Sequence, residues 1–219
     1  MSKDNIYDVN RLIPHKKPFL FLDKILFIDY IDLYLIGYKL IRSEDTLGHF
    51  PLKPIMPGVL LLESMAQASL CLTNALFRQF SIVNVKSQDV LLNKKCNLNF
   101  SLENNYYNNQ FYLSSIDNIK FRRVTVPGDS IIVVTKLFKS KMNFYTFECK
   151  IDFINQPPNF ITCDTQVRYK NNHSSKYQQF YNKDNKKNRT IFFDSIDYNL
   201  FSCANANIGM YYSDESETN

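Results

Sequence analysis

Three histidines and five cysteines are all that 219 residues provide, and both scarcities narrow the chemistry. Cys71, Cys96, Cys149, Cys163 and Cys203 are odd in number and form no Cys-x-x-Cys pair, which points to reduced structural thiols. His15, His49 and His173 complete no set of ligands at metal-binding spacing, so no metal is expected. Charge is not concentrated either: the net value is +5, and the basic stretch Lys183–Arg189 is followed by Asp214, Glu215 and Glu217. Without a basic patch or a recognised nucleic-acid motif, a nucleic-acid partner is not expected. The longest apolar run, Gly58–Leu76, is interrupted by Glu63, Gln67 and Asn74 and has no close positive flank, so a buried core helix is expected there and not a membrane span. Ser2–Asp8 lacks the basic and apolar blocks of a secretion signal and carries too much acid for a transit peptide, so the expected compartment is the cytoplasm, or the stroma for an organelle-encoded chain.

What is present centres on His49 and Glu63, fourteen positions apart around a proline-marked loop. Pro57 suits the start of a helix, and Val59, Leu60, Leu61, Leu62, Met65, Ala66, Ala68, Leu70 and Leu72 leave little polar face after it. Glu63 is thus a carboxyl group on an apolar helix. Burial disfavours its charged form, and a carboxylic acid held protonated there has a proton to give to a leaving group. The first N–H groups of the same helix lack internal acceptors, and Gly58 has no side chain to block a substrate carbonyl from reaching them. With the His49 imidazole as base, the set reads as proton abstraction beside a carbonyl and acid-assisted loss of a group one carbon further on. That is a dehydratase.

Four stretches then carry a resemblance: Leu12–Asp23, Gly48–Pro51, Pro54–Gln67, and Ile116–Arg123 with Val126–Asp129. In this order they resemble the FabZ-type 3-hydroxyacyl-[acyl-carrier-protein] dehydratases. The resemblance implies an α+β hotdog fold, an antiparallel sheet wrapped around one long central helix. It implies His49 as catalytic base, Glu63 as the acid supplied to the site of a partner subunit, and Gly58 as the amide that polarises the thioester carbonyl. Phe50, Pro57 and Val59 fall in the same motifs as substrate-binding residues. The chemistry so implied uses no cofactor. The related A-type dehydratases, which also shift the double bond, carry Asp at the helix position, whereas this chain has Glu63.

Strands are expected near 19–29, 31–42, 111–123, 130–140, 143–154 and 160–169, with turns at Pro127–Asp129 and Asn155–Pro158. Residues 1–170 are read as the hotdog domain, with an Asn/Tyr-rich insertion at about 81–110. Residues 171–219 are read as a low-complexity, disordered tail whose removal after Tyr169 preserves the fold, although Ile191–Phe193 and Met210–Tyr212 form small apolar clusters. His15 is read as a packing or turn residue.

The resemblance also names the partners: acyl carrier protein bearing a 3-hydroxyacyl group, and a second copy of the chain in a homodimer or a trimer of dimers. The carrier is acidic, so a basic rim would speed encounter, and Lys53, Lys120, Arg122 and Arg123 lie near the matching motifs. The alternatives are an A-type dehydratase-isomerase, a hotdog thioesterase and a non-catalytic hotdog assembly protein. Intact His49, Gly58 and Glu63 speak against the last.

Overall fold

The computed structural model describes residues 8–82, 110–154, 190–193 and 196–213. A single turn, α1 (Val9–Leu12), is capped by the Asp8 carboxylate and leads through an irregular segment to β1 (Lys24–Asp29) and β2 (Tyr34–Leu40). A 3-10 turn at Ser43–Thr46 precedes the His49 loop, and α2 (Gly58–Ile82) follows it. The remaining strands are β3 (Gln110–Phe121), β4 (Ser130–Lys141), β5 (Phe144–Ile154), β6 (Thr190–Phe193) and β7 (Ile196–Ser213). Sequence periodicity places four of these strands closely. The strand expected from residue 19 begins instead at Lys24, because the backbone of Phe19 and Phe21 pairs with the Gln67 side chain and not with a neighbouring strand.

All pairings are antiparallel, in the order β1-β2-β4-β5-β7-β3, with β6 joined to the first part of β7. Helix α2 packs on the inner face of this sheet across β2, β4, β5 and β7. Leu61, Met65, Ala68, Leu72 and Leu76 of the helix join Ile131, Val133, Phe147, Ile151 and Ile208 of the sheet in one core. Alternate residues on β2 and β4, Ile36, Tyr38, Ile132 and Val134, are buried in a second cluster on the other face. The polar atoms that the helix carries into the core are satisfied there: Ser69 bonds Thr135 at 2.8 Å. Helix α2 is long and apolar enough to cross a bilayer, but 78% of that stretch is buried against the protein's own sheet. This is the helix-in-sheet architecture that the resemblance implied.

The reading of residues 171–219 as a disordered tail is corrected. Residues 196–213 form β7, the longest of the described strands, which lies between β5 and β3 and bonds to both. Cys203, Ala204, Ala206, Ile208, Met210 and Tyr212 are buried, so the segment belongs to the core. Its alternation is of period two, but with alanines on the buried side it carries little hydrophobic signal, and a Lys/Asn-rich stretch precedes it. Of the 81–110 insertion, residues 81 and 82 close α2 and Gln110 opens β3. The rest of the insertion, the strand expected at 160–169 and the turn at 155–158 lie outside the described residues.

Candidate active site

The loop that bears His49 is built from both ends. Gly48 adopts φ +74°, a left-handed conformation open to glycine at little cost, and Phe50 follows at φ +59°. The His49 amide donates to Thr46 O at 3.0 Å, and its carbonyl receives Ile55 N at 3.4 Å. The ring itself bonds Ile55 O through Nδ1 at 2.8 Å. A carbonyl oxygen only accepts, so Nδ1 carries the hydrogen and Nε2 of the neutral ring keeps its lone pair. Phe50, exposed, lies with its ring centroid 4.2 Å from that of His49.

The same loop leads into α2. Met56 N donates to Thr125 O at 2.9 Å, which fixes the helix start against the segment after β3, and Pro57 O accepts from Leu60 N at 3.0 Å. Pro57 precedes the helix, of which Gly58 is the first residue. Val59, by contrast, is 67% exposed. The Phe121 ring lies over Gly58, so a methyl group at that position meets ring carbons at 3.0 to 3.3 Å. A side chain here would press on the Phe121 ring, whereas the bare glycine leaves the helix N-terminus open to approach. Phe121 lies within the Ile116–Arg123 motif, and nothing local in that motif ties it to Gly58.

Glu63 stands one and a half turns into the helix. Its Oε1 accepts from Gln67 Nε2 at 2.8 Å, and His15 Nε2 lies 3.7 Å from the same oxygen. Gln67 is itself held at both ends of its amide, with Nε2 donating to Phe19 O at 2.9 Å and Oε1 accepting from Phe21 N at 2.8 Å. The i, i+4 spacing of Glu63 and Gln67 made them neighbours on the helix, but nothing local showed the clamp from residues 19–21. The expectation of a desolvated carboxylate needs correction: the Glu63 side chain is 20% exposed. His15 is more than a packing or turn residue, since it faces the carboxylate. Among the described residues no hydrogen bond or ion pair joins His49 to Glu63 of the same chain.

Lys53, Lys120, Arg122 and Arg123 are all exposed. Two of the four are fixed in place: Arg122 bonds the Asn205 side chain on β7, and the Arg123 guanidinium stacks 4.1 Å from the centroid of the Phe153 ring. Both follow Phe121, the residue whose ring meets Gly58 at the start of α2. The three described cysteines, Cys71, Cys149 and Cys203, are buried free thiols. Burial pushes Cys149 up to about 11 and Cys203 up to about 12, which makes them poor nucleophiles.

A family model for the FabA-like domain matches residues 13–101. A 3-hydroxyacyl-[acyl-carrier-protein] dehydratase FabZ of Coxiella burnetii is 32% identical over 152 residues, which cover 68% of this chain and 88% of that protein. The FabZ dehydratase of Bartonella quintana is 35% identical over 147 residues, covering 66% of this chain and 77% of its own length. Among solved structures, the dehydratase heterocomplex ApeI:P from Xenorhabdus doucetiae superposes with a TM-score of 0.55, covering 95% of this chain and 93% of that one. At 12% identity this likeness shows the fold alone.

Proposed function

The chain belongs to the FabZ family of 3-hydroxyacyl-[acyl-carrier-protein] dehydratases, and from that membership we propose that it converts (3R)-hydroxyacyl-acyl carrier protein to the trans-2-enoyl thioester in fatty acid synthesis. The observation that carries the assignment of roles is the bond from His49 Nδ1 to Ile55 O, which leaves Nε2 as a positioned base. In this reading Nε2 takes the proton from the carbon next to the thioester carbonyl. Negative charge moves onto the carbonyl oxygen, where the N–H of Gly58 at the helix start stabilises it. The bond to the 3-hydroxyl then breaks as the Glu63 carboxyl protonates it, and water leaves. Gln67 supports this by fixing which way the Glu63 carboxyl faces.

The acid and the base serve different sites in this proposal, each site taking His49 from one subunit and Glu63 from the other. The lack of a direct contact between the two among the described residues of one chain supports it, as does the exposed strand β3, which is an edge of the sheet among the described strands and which a second copy would cover. Phe121, whose ring meets Gly58, and Phe50, Pro57 and Val59 of the same motifs are the residues that would contact the acyl group in this reading. The carrier docks on the cations that follow Phe121.

The test is incubation of the purified protein with 3-hydroxyacyl thioesters on acyl carrier protein, followed by product analysis. The trans-2-enoyl thioester alone is expected. A free acid would make the protein a thioesterase, and a shifted double bond would make it an isomerase.

A further inference from the structure

Lys39 is the exception among the described lysines: it lies near the end of β2 with its side chain only 1% exposed. An ammonium ion taken out of water needs a partner, and its partner is Asp45, 6% exposed, whose two carboxylate oxygens both stand 2.9 Å from Nζ. Asp45 sits in the 3-10 turn and also accepts from Arg42 N at 2.8 Å. One residue later, Thr46 O receives the His49 amide. The buried pair therefore anchors the near end of the His49 loop, as Ile55 anchors the far end.

The same ammonium lies 5.7 Å from the centroid of the Phe21 ring, within reach of a cation–π attraction. Phe21 is the residue whose N–H holds Gln67 Oε1, and Gln67 holds Glu63. One buried charge thus stands between the loop of the base and the clamp of the acid. A well-packed apolar pair of similar volume is often as stable as a buried ion pair, so stability alone does not account for it.

We propose that Lys39 is a positioning residue for both catalytic groups, setting His49 through Asp45 and Glu63 through Phe21 and Gln67. This rests on the roles proposed above for His49 and Glu63. Because those two residues serve different sites of the dimer, Lys39 of each subunit acts on both sites.

The test pairs Lys39→Met with Asp45→Asn, a neutral replacement that leaves no charge buried alone and keeps an acceptor for Arg42 N. If that pair does not give a folded dimer, Lys39→Gln with Asp45→Asn retains a neutral hydrogen bond between the same positions and is read the same way. The substitutions go into mixed dimers of His49→Ala and Glu63→Gln subunits, where the only working site takes its base from one chain and its acid from the other. The expected result is a fall in kcat of about tenfold or more with little change in KM, whichever subunit carries the pair, since misplacing a reacting group slightly is costly. A purely structural brace gives no reason for the acid-supplying subunit to be affected. A fall only when the pair sits in the base-supplying subunit, or no fall in either, overturns the proposal. Failure of the roles themselves shows separately, as activity in unmixed His49→Ala or inactivity of the undecorated mixture.

Discussion

A neutral imidazole has one lone pair, and at His49 the Ile55 carbonyl decides which nitrogen keeps it. Replacing this ring removes the base and one loop hydrogen bond, but almost nothing from the core. His49→Ala is therefore expected to lose activity by a factor on the order of 100 to 10,000 while its melting temperature stays within a few degrees of the parent. Turnover near the parent level in folded His49→Ala would remove the proposed base. Glu63→Gln keeps an oxygen to accept from Gln67 Nε2 and loses the transferable proton, so activity disappears while stability holds. Asp152 is a different kind of residue, wholly buried on β5 with its carboxylate against Lys150 at 2.8 Å. Burial pushes its carboxyl from 3.8 up to about 7 against the pull of Arg122, while the Lys150 ammonium beside it favours the charged form. Between those two values the folded protein keeps a proton that the unfolded chain has released, so this group's contribution to stability falls as pH rises. Asp152→Asn is expected to gain melting temperature on the parent progressively from about pH 4 to about pH 7 and to show no gain below that window. A difference independent of pH would mean that the carboxyl stays charged in the folded state.

Strands and helices answer to neighbours that lie far off in sequence, and β7 shows how much that matters. It fills the place between β5 and β3, so its removal opens two hydrogen-bonded ladders at once and strips Ile208, Met210 and Tyr212 from the core. A chain ending at Tyr169 is expected to melt on the order of ten degrees lower or to lose its dimer, readable by calorimetry and mass. If it melts like the full chain, residues 160–169 must be able to take that place. The elements with a strong local signal were legible beforehand: α2 from its apolar run and the Pro57-Gly58 start, β4 and β5 from their alternation. The placement of His49, Gly58 and Glu63 was legible too, because all three fall within one loop and the helix it enters. What the sequence alone hid is non-local. Phe121 reaches Gly58 of α2 from the end of β3, Lys39 meets Asp45 across the end of β2, and His15 faces Glu63 from an irregular segment. β7 stayed hidden for another reason, since its buried face is built partly of Ala204 and Ala206, which pack well against a sheet but barely register as hydrophobic.

At the scale of the whole molecule, a net charge of +5 is modest, and its placement matters more than its size. A guanidinium stacked on Phe153 and another bonded to Asn205 lose less freedom when they meet an anionic partner than a solvated lysine does. Both follow Phe121, which covers the helix start, so a carrier docked on them would deliver its prosthetic arm toward Gly58. Such charges act mainly on encounter and orientation, not on the chemical step. Arg122→Ala with Arg123→Ala is accordingly expected to raise KM for the acyl-carrier-protein substrate several-fold, to leave kcat close to the parent value, and to flatten the dependence of kcat/KM on salt. A short thioester without the carrier protein provides the contrast, and its KM should not move. If both substrates suffer equally, the arginines support the fold around Phe153 and β7 and the carrier docks elsewhere. If neither suffers, Lys53 and Lys120 become the cations to replace next, by the same pair of substrates.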